Sequence, residues 1–283
     1  MEKLILSDKE HYKKIEKNMI QWWKANLHIL ADFDRTLTKA FSKWAYRPAL
    51  ISILLEDGYL SKEYQEKAQW FFDYYHPIEG DENLPLQERK NAMQEWREKH
   101  KLLLIEEWLT KQDIYKAMKS QNIELRDKSK EFFDLLENNN IPLVILSAWW
   151  LGTVSIKKYL ENQKSLHQNI YIIWNEFIRD NNDKAIDFKR PVIHTLNKDE
   201  TAVKNFPEIY KKVKERKNII LLGDSIGDIK MAEWFEYDNI LKIWFLNRDI
   251  EKNFERYKES FDVLILNDGS MDFVHKVLER ICK

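Results

Sequence analysis

Of 283 residues only one is cysteine and only six are glycine. Cys282, beside the C-terminus, has no partner for a disulfide and no neighbouring thiol or imidazole cluster for zinc, so a reducing, cytoplasmic setting is expected. The scarcity of glycine goes with the lack of internal repeats and of any low-complexity linker. A charge of one sign is missing too: 46 basic residues meet 47 acidic ones, and the lysines are spread rather than massed. That balance leaves no electrostatic footprint for nucleic acid, and a short run such as "KKVKERK" reads as a solvated helix face. No apolar run approaches membrane-spanning length, and the stretch from Met1 to Leu6 is far shorter than a signal-peptide core, so neither membrane insertion nor secretion is expected.

What is present is an ordinary globular composition, 44% hydrophobic and 33% charged, with enough chain for a substantial core. Short runs rich in Ile, Leu and Val recur at Leu27 to Ala31, Leu143 to Leu146, Ile170 to Trp174, Ile219 to Leu222, Leu241 to Leu246 and Val263 to Leu266. They read as buried parallel strands. Helical patterns separate the later ones, as in "KEFFDLLENN", "GDIKMAEWF" and the closing "MDFVHKVLERICK", and this alternation predicts a doubly wound α/β core. More than a hundred residues with little strand character part the first strand from the second. There "RPALISILLEDG" has Pro48 at a helix start and Gly58 at its end, and "SKEYQEKAQWFFDYYH" has Ser61 as a cap. "LQERKNAMQEWREKHKLLLIEEWL" is a long amphipathic helix, and "TKQDIYKAM" opens with a capping box from Thr110 to Asp113. The expected division is an α/β core from residues 1–40 and 125–283, with an α-helical cap domain inserted at 41–124.

The insert interrupts the core directly after "ILADFDRTLTKA", where a buried strand ends in Asp32 and Asp34. In open α/β sheets ligands bind at the carboxyl ends of the strands. Other segments deliver matching groups to such ends: Ser147 after "LVIL", Lys198 in "HTLNKDE", and Asp224 and Asp228 in "NIILLGDSIGD". Crowded carboxylates repel unless a cation joins them, and hard oxygen ligands suit Mg²⁺. The set reads as a magnesium site for phosphate chemistry. Asp32 is placed to attack phosphorus, and Asp34 to protonate the leaving oxygen and then activate water. Lys198 and Mg²⁺ would neutralise the phosphoryl oxygens, while Ser147 and nearby backbone N–H groups hold their geometry.

"DFDRTLT", "VILSA", the Asn-Lys of "IHTLNKDE" and "ILLGDSIGD" resemble the four ordered motifs of the haloacid-dehalogenase-like phosphatases. With "HPIEGDENL", "EWREKHKLLL" and "ILKIWFLN" added, the chain resembles the cytosolic pyrimidine 5′-nucleotidase family from about residue 27 onward. The resemblance implies Asp32 as nucleophile, Asp34 as acid/base, Ser147 and Ala148 at the phosphate, Lys198 as its counter-charge, and Asp32, Asp34, Asp224 and Asp228 around the metal. It also implies that Glu79 of "HPIEGD" contacts the nucleobase; without it, Glu79 reads as a solvated carboxylate in a loop between helices. The implied substrate is a nucleoside 5′-monophosphate, pyrimidine by preference, or else another small organic phosphate.

The chain departs from the family pattern at "SAWWLG", which puts Trp149 and Trp150 beside the phosphate site, at Arg97 and His100 in the cap, and at "FSKWAYRP" after Thr38. Two rival readings exist. "GDSIG" is literally G-x-S-x-G between a strand and a helix, so a serine esterase would use Ser225 with Asp262 and His275, but that leaves Asp32, Asp34 and Lys198 unexplained. A non-catalytic binding module would be expected to lack its nucleophile, and every expected catalytic residue is present.

Overall fold

The computed structural model describes the chain except residues 1–2, 22–23, 43–44, 47–59, 82, 121, 149–152, 191, 199–205 and 234. The helix expected in "RPALISILLEDG" and the residues Trp149 and Trp150 lie outside the described residues. All six expected strands form, and they pair side by side in one sheet. Strands β2 (Leu27–Ala31), β5 (Leu143–Leu146), β6 (Ile170–Ile173), β9 (Asn218–Gly223), β10 (Asn239–Leu246) and β11 (Val263–Leu266) are parallel to their neighbours in the order β11-β10-β9-β2-β5-β6. A seventh strand, β1 (Lys3–Leu6), adds antiparallel to the β11 edge, and the short strands β3 (Phe41–Ser42) and β4 (Ala45–Tyr46) form a separate antiparallel pair.

These strands read as continuous apolar runs because both faces are covered. Leu27, Ile29, Ala31, Leu143, Ile145, Ile220 and Leu222 enter one core. Leu30, Val144, Leu146, Ile219 and Leu221 enter the other, in the two-residue alternation a pleated strand imposes. Helices α1 (Lys9–Gln21), α5 (Ser129–Asn138), α6 (Thr153–Asn162) and α9 (Asp272–Cys282) line the first face, and α7 (Pro207–Val213) and α8 (Ile250–Ser260) the second.

Between β2 and β5 stand α2 (Lys62–Gly80), α3 (Leu86–Glu106) and α4 (Lys111–Ala117). The Ser61 hydroxyl caps α2 by accepting the Tyr64 N–H at 3.0 Å, and Thr110 with Asp113 forms the capping box of α4. Helix α2 runs through Pro77 to Gly80, so Glu79 belongs to its last turn and not to a loop. A hairpin of short strands β7 (Phe177–Arg179) and β8 (Ala185–Phe188) supports this module from the other side of the sequence. The Leu109 carbonyl accepts from the Ala185 N–H at 3.2 Å and from Arg179 Nη1 at 2.9 Å, while Asp183 accepts the Lys111 N–H at 3.0 Å. "GDIKMAEWF" forms a 3₁₀ turn, Ile226–Ala232, rather than an α-helix.

Candidate active site

The chain leaves β2 in a tight turn. The Phe33 carbonyl accepts N–H groups from Thr36, Leu37 and Thr38 at 3.0 to 3.3 Å, and the Phe33 ring goes fully into the core, edge-on to Tyr159. Burying the residue between the two aspartates leaves Asp32 and Asp34 to the crevice side. Because β2 lies between β9 and β5, with Ala31 paired to both Leu222 and Ile145, the residues following these strands are neighbours in space. The Asp32 N–H donates to the Leu222 carbonyl at 3.0 Å and the Ser147 N–H to the Ile173 carbonyl at 3.1 Å, fixing both strand ends.

Lys198 joins the set from a different element. Its turn, Thr195–Asn197, is knitted by its own side chains: His194 N–H donates to Asn197 Oδ1 at 2.6 Å, Asn197 Nδ2 donates to the Val192 carbonyl at 2.8 Å, and His194 Nδ1 accepts from the Leu196 N–H at 3.2 Å. From it the buried Lys198 ammonium donates to Asp32 Oδ1 and, at 2.7 Å, to Asp228 Oδ1. Asp228 Oδ2 in turn accepts the backbone N–H groups of Asp224 and Ser225 at 3.3 and 3.0 Å. Oxygens of Asp32, Asp224 and Asp228 lie within 4.8 Å of one another. Asp34, half-buried two residues beyond Asp32, is not part of that trio.

Electrostatics follow from this crowding. Burial pushes the Asp32 carboxyl up, Lys198 opposes it, and Asp228, Asp224 and Asp34 add to the rise. Burial likewise raises Asp224, against the guanidinium of Arg35. For Lys198 burial works against the charge, but Asp228 and Asp32 overcome it and hold the ammonium above its ordinary range. Three clustered carboxylates with hard oxygen donors, of which burial raises Asp32 and Asp224, fit a divalent cation of the Mg²⁺ type.

The remaining expected residues fall at the same edge or against it. Ser147 is buried and Ala148 half-buried at the end of β5. Glu79 reaches the Lys198 turn from α2: Oε1 accepts from the Thr195 hydroxyl, and Oε2 faces His76 Nδ1 at 3.2 Å. Burial alone would raise the Glu79 carboxyl, yet the His76 hydrogen bond, the Arg97 charge and the Thr195 hydroxyl carry it down to about 2. Arg97 is buried over the Trp96 ring at 4.6 Å, and the buried His100 Nε2 meets the Tyr64 hydroxyl.

The esterase constellation is not assembled. Ser225 Oγ accepts the Gly227 N–H at 3.3 Å as a turn cap, Asp262 accepts the Lys242 N–H at 2.7 Å and faces His11, and His275 faces Glu279. Four contributors were not singled out in the sequence. Asn175, buried, donates to the Ile193 carbonyl at 2.8 Å and the Ala148 carbonyl at 3.5 Å, joining the end of β5 to the Lys198 segment. Thr195 holds Glu79, Arg126 binds the Thr36 carbonyl at 2.7 Å, and Arg35 pairs with Asp224. Arg35 had a visible signal, a cation standing inside the "DFDRT" motif; Asn175 had none.

Comparison with known proteins matches residues 35–282 to the model of the pyrimidine 5′-nucleotidase (UMPH-1) family. The chain belongs to the pyrimidine 5′-nucleotidase family. It is therefore a 5′-nucleotidase, a phosphoric monoester hydrolase of haloacid-dehalogenase-like fold. The 7-methylguanosine phosphate-specific 5′-nucleotidase of Homo sapiens is 35% identical over 257 residues, spanning 90% of this chain and 84% of the relative. The protein of the same name from Drosophila melanogaster is 30% identical, covering 98% and 87%. Among solved structures, cytosolic 5′-nucleotidase IIIB bound to cytidine superposes with a TM-score of 0.83 at 29% identity, covering 98% of this chain and 92% of that one. A substrate-bound phosphoserine phosphatase shares the fold, with a TM-score of 0.53 at 20% identity over 88% of this chain and 96% of its own. No described helix is long and apolar enough to cross a membrane.

Proposed function

We propose that this 5′-nucleotidase works through a phosphorylated Asp32, with Mg²⁺ held by Asp32, Asp224 and Asp228, beneath a helical cap formed by residues 41–124. The observation that carries this reading is the Lys198 ammonium bonded to both Asp32 and Asp228 at the carboxyl edge of the sheet. Asp32 attacks phosphorus, the bond to the 5′-oxygen breaks, and Asp34 gives that oxygen its proton. Asp34 then takes a proton from water as the water attacks the aspartyl-phosphate, which releases inorganic phosphate and restores Asp32. Lys198 offsets negative charge at the phosphoryl oxygens, and Ser147 with the Ala148 N–H orients them. When bound, Mg²⁺ would neutralise phosphoryl charge and keep Asp32 ionised despite its burial. A cytoplasmic setting suits this substrate class.

Glu79 supplies the base preference. A carboxylate held ionised beside the Lys198 turn accepts from an exocyclic amino group, which cytosine carries and uracil lacks. A 7-methylguanine base carries one as well, and the names of the relatives favour it as a second candidate. Phosphate release should be measured on the 5′-monophosphates of cytidine, uridine, 7-methylguanosine and guanosine and on an aryl phosphate, for the native protein and Glu79→Gln. Cytidine or 7-methylguanosine monophosphate should lead, and E79Q should lower kcat/KM on that nucleotide by about tenfold or more while sparing the aryl phosphate. Equal, small effects on all substrates would remove Glu79 from base recognition.

A further inference from the structure

Arg35 directly follows the second motif aspartate, Asp34, and its guanidinium pairs with Asp224. Its backbone is left-handed, at φ 61°, a conformation few non-glycine residues hold without support. Here the support is complete. The Arg35 N–H donates to Thr38 Oγ1 at 2.9 Å, and its carbonyl accepts from Asn247 Nδ2 at 3.0 Å and from Arg126. Arg126, itself buried, also binds the Thr36 and Gly269 carbonyls, each at 2.7 Å, and Asp268 at 3.0 Å. The peptide is thus fixed, and with it the direction in which the side chain leaves the backbone. The guanidinium places Nε 3.2 Å from Asp224 Oδ2 and donates through Nη1 to the Tyr46 hydroxyl at 2.6 Å.

Lys198 bonds two of the three clustered carboxylates, Asp32 and Asp228. Arg35 holds the third. A divalent ion entering the trio must therefore share Asp224 with a guanidinium whose charge repels it at short range. We propose that Arg35 is a built-in counter-cation of the metal site, one that lowers its affinity for Mg²⁺ in the absence of a phosphate ester. The dianionic phosphate of a substrate restores the negative charge that Arg35 offsets, so tight metal uptake is reserved for the substrate-loaded site. This rests on reading Asp32, Asp224 and Asp228 as the metal set.

Mg²⁺ binding to the purified protein, followed by titration calorimetry and by the Mg²⁺-induced rise in Tm, tests it. Arg35→Gln should bind Mg²⁺ about tenfold more tightly than the native protein, the effect of removing one nearby positive charge in a partly buried site. Arg35→Asn, whose side chain tolerates the left-handed backbone, should do the same and guards against a folding defect in the first variant. Arg248→Gln is the control, because Arg248 also lies over the Tyr46 ring, at 4.4 Å, but its exposed guanidinium pairs with Asp249; its Mg²⁺ affinity should stay within about twofold of native, as expected for a more exposed, screened charge. Adding inorganic phosphate should tighten Mg²⁺ binding more in the native protein than in R35Q. Unchanged or weaker Mg²⁺ binding in both Arg35 variants, or an equal gain in R248Q, would overturn the proposal while leaving the metal reading intact. No Mg²⁺ binding by any of the proteins, with or without phosphate, would overturn both.

Discussion

Gly223 closes β9 immediately before Asp224, and no larger residue fits there. A Cβ at this position would stand 2.6 Å from the Trp244 ring and 2.9 Å from the Asp228 Cβ. Trp244 cannot retreat: it is fully buried, stacked on Phe261 at 3.9 Å, and its indole N–H donates to the Ser225 carbonyl at 3.0 Å. One buried indole thus fixes the turn that carries both Asp224 and Asp228. Gly223→Ala should cost about 1–3 kcal/mol by overpacking. It should also depress kcat well beyond the loss shown by a core variant of equal instability, because the strain falls on the carboxylates. Chemical denaturation alongside kinetics measures both, and native kcat in a destabilised G223A would mean that the turn absorbs the methyl group without moving Asp224.

At the scale of elements, what the sequence made legible was what local patterns can encode. The six parallel strands announced themselves as continuous apolar runs, and Ser61 and the Thr110–Asp113 box marked two helix starts correctly. Asp32, Lys198, Asp224 and Asp228 stood out because carboxylates and a lysine at strand ends conflict with burial unless they serve chemistry. The hairpin of β7 and β8 was invisible because its strands are three and four residues long and it forms against the helical module, a long-range contact without local signature. Glu79 looked like a loop residue because the helical pattern of "SKEYQEKAQWFFDYYH" stops at His76, yet α2 continues past it. Asn175 escaped because a single buried amide leaves no trace in composition. The α4 cap offers a clean test of an element on its own: Thr110→Ala removes the hydroxyl that accepts the Asp113 N–H at 3.2 Å and donates to Asp113 Oδ2 at 2.6 Å. Stability should fall by about 1 kcal/mol with kcat/KM on a nucleotide essentially native. A native Tm would show that the hairpin, rather than the cap, holds this helix start.

Over the whole molecule, buried histidines tie stability to pH. Burial pushes the ring of His28, in β2 itself, down to about 3, opposed only in part by the Arg216 backbone. Burial, helped by Arg97 and Lys101, brings His100 to about 3 as well. Both rings are neutral in the folded protein and take up a proton on unfolding below the ordinary histidine value of 6.5. Their contribution is therefore complete above that value and is lost as pH falls from 6.5 toward 3. Raised carboxyls such as Asp262 act in the opposite sense, so the histidine share must be isolated by substitution. His28→Leu should gain on the native protein by about 2–3 kcal/mol as pH drops from about 6.5 to about 4.5. Parallel pH profiles for the two proteins would show that His28 is already protonated in the fold.

The proposed nucleophile is the carboxylate of Asp32 at this sheet edge. It is tested most directly by quenching the enzyme in acid during turnover of its best nucleoside 5′-monophosphate with Mg²⁺ and mapping the modified peptide by mass spectrometry. One added phosphoryl group is expected on Asp32 in the native protein and in Ser225→Ala, and none in Asp32→Asn, which should not turn over. Sustained phosphate release by D32N, or a phosphoryl group trapped on any other residue, would contradict it.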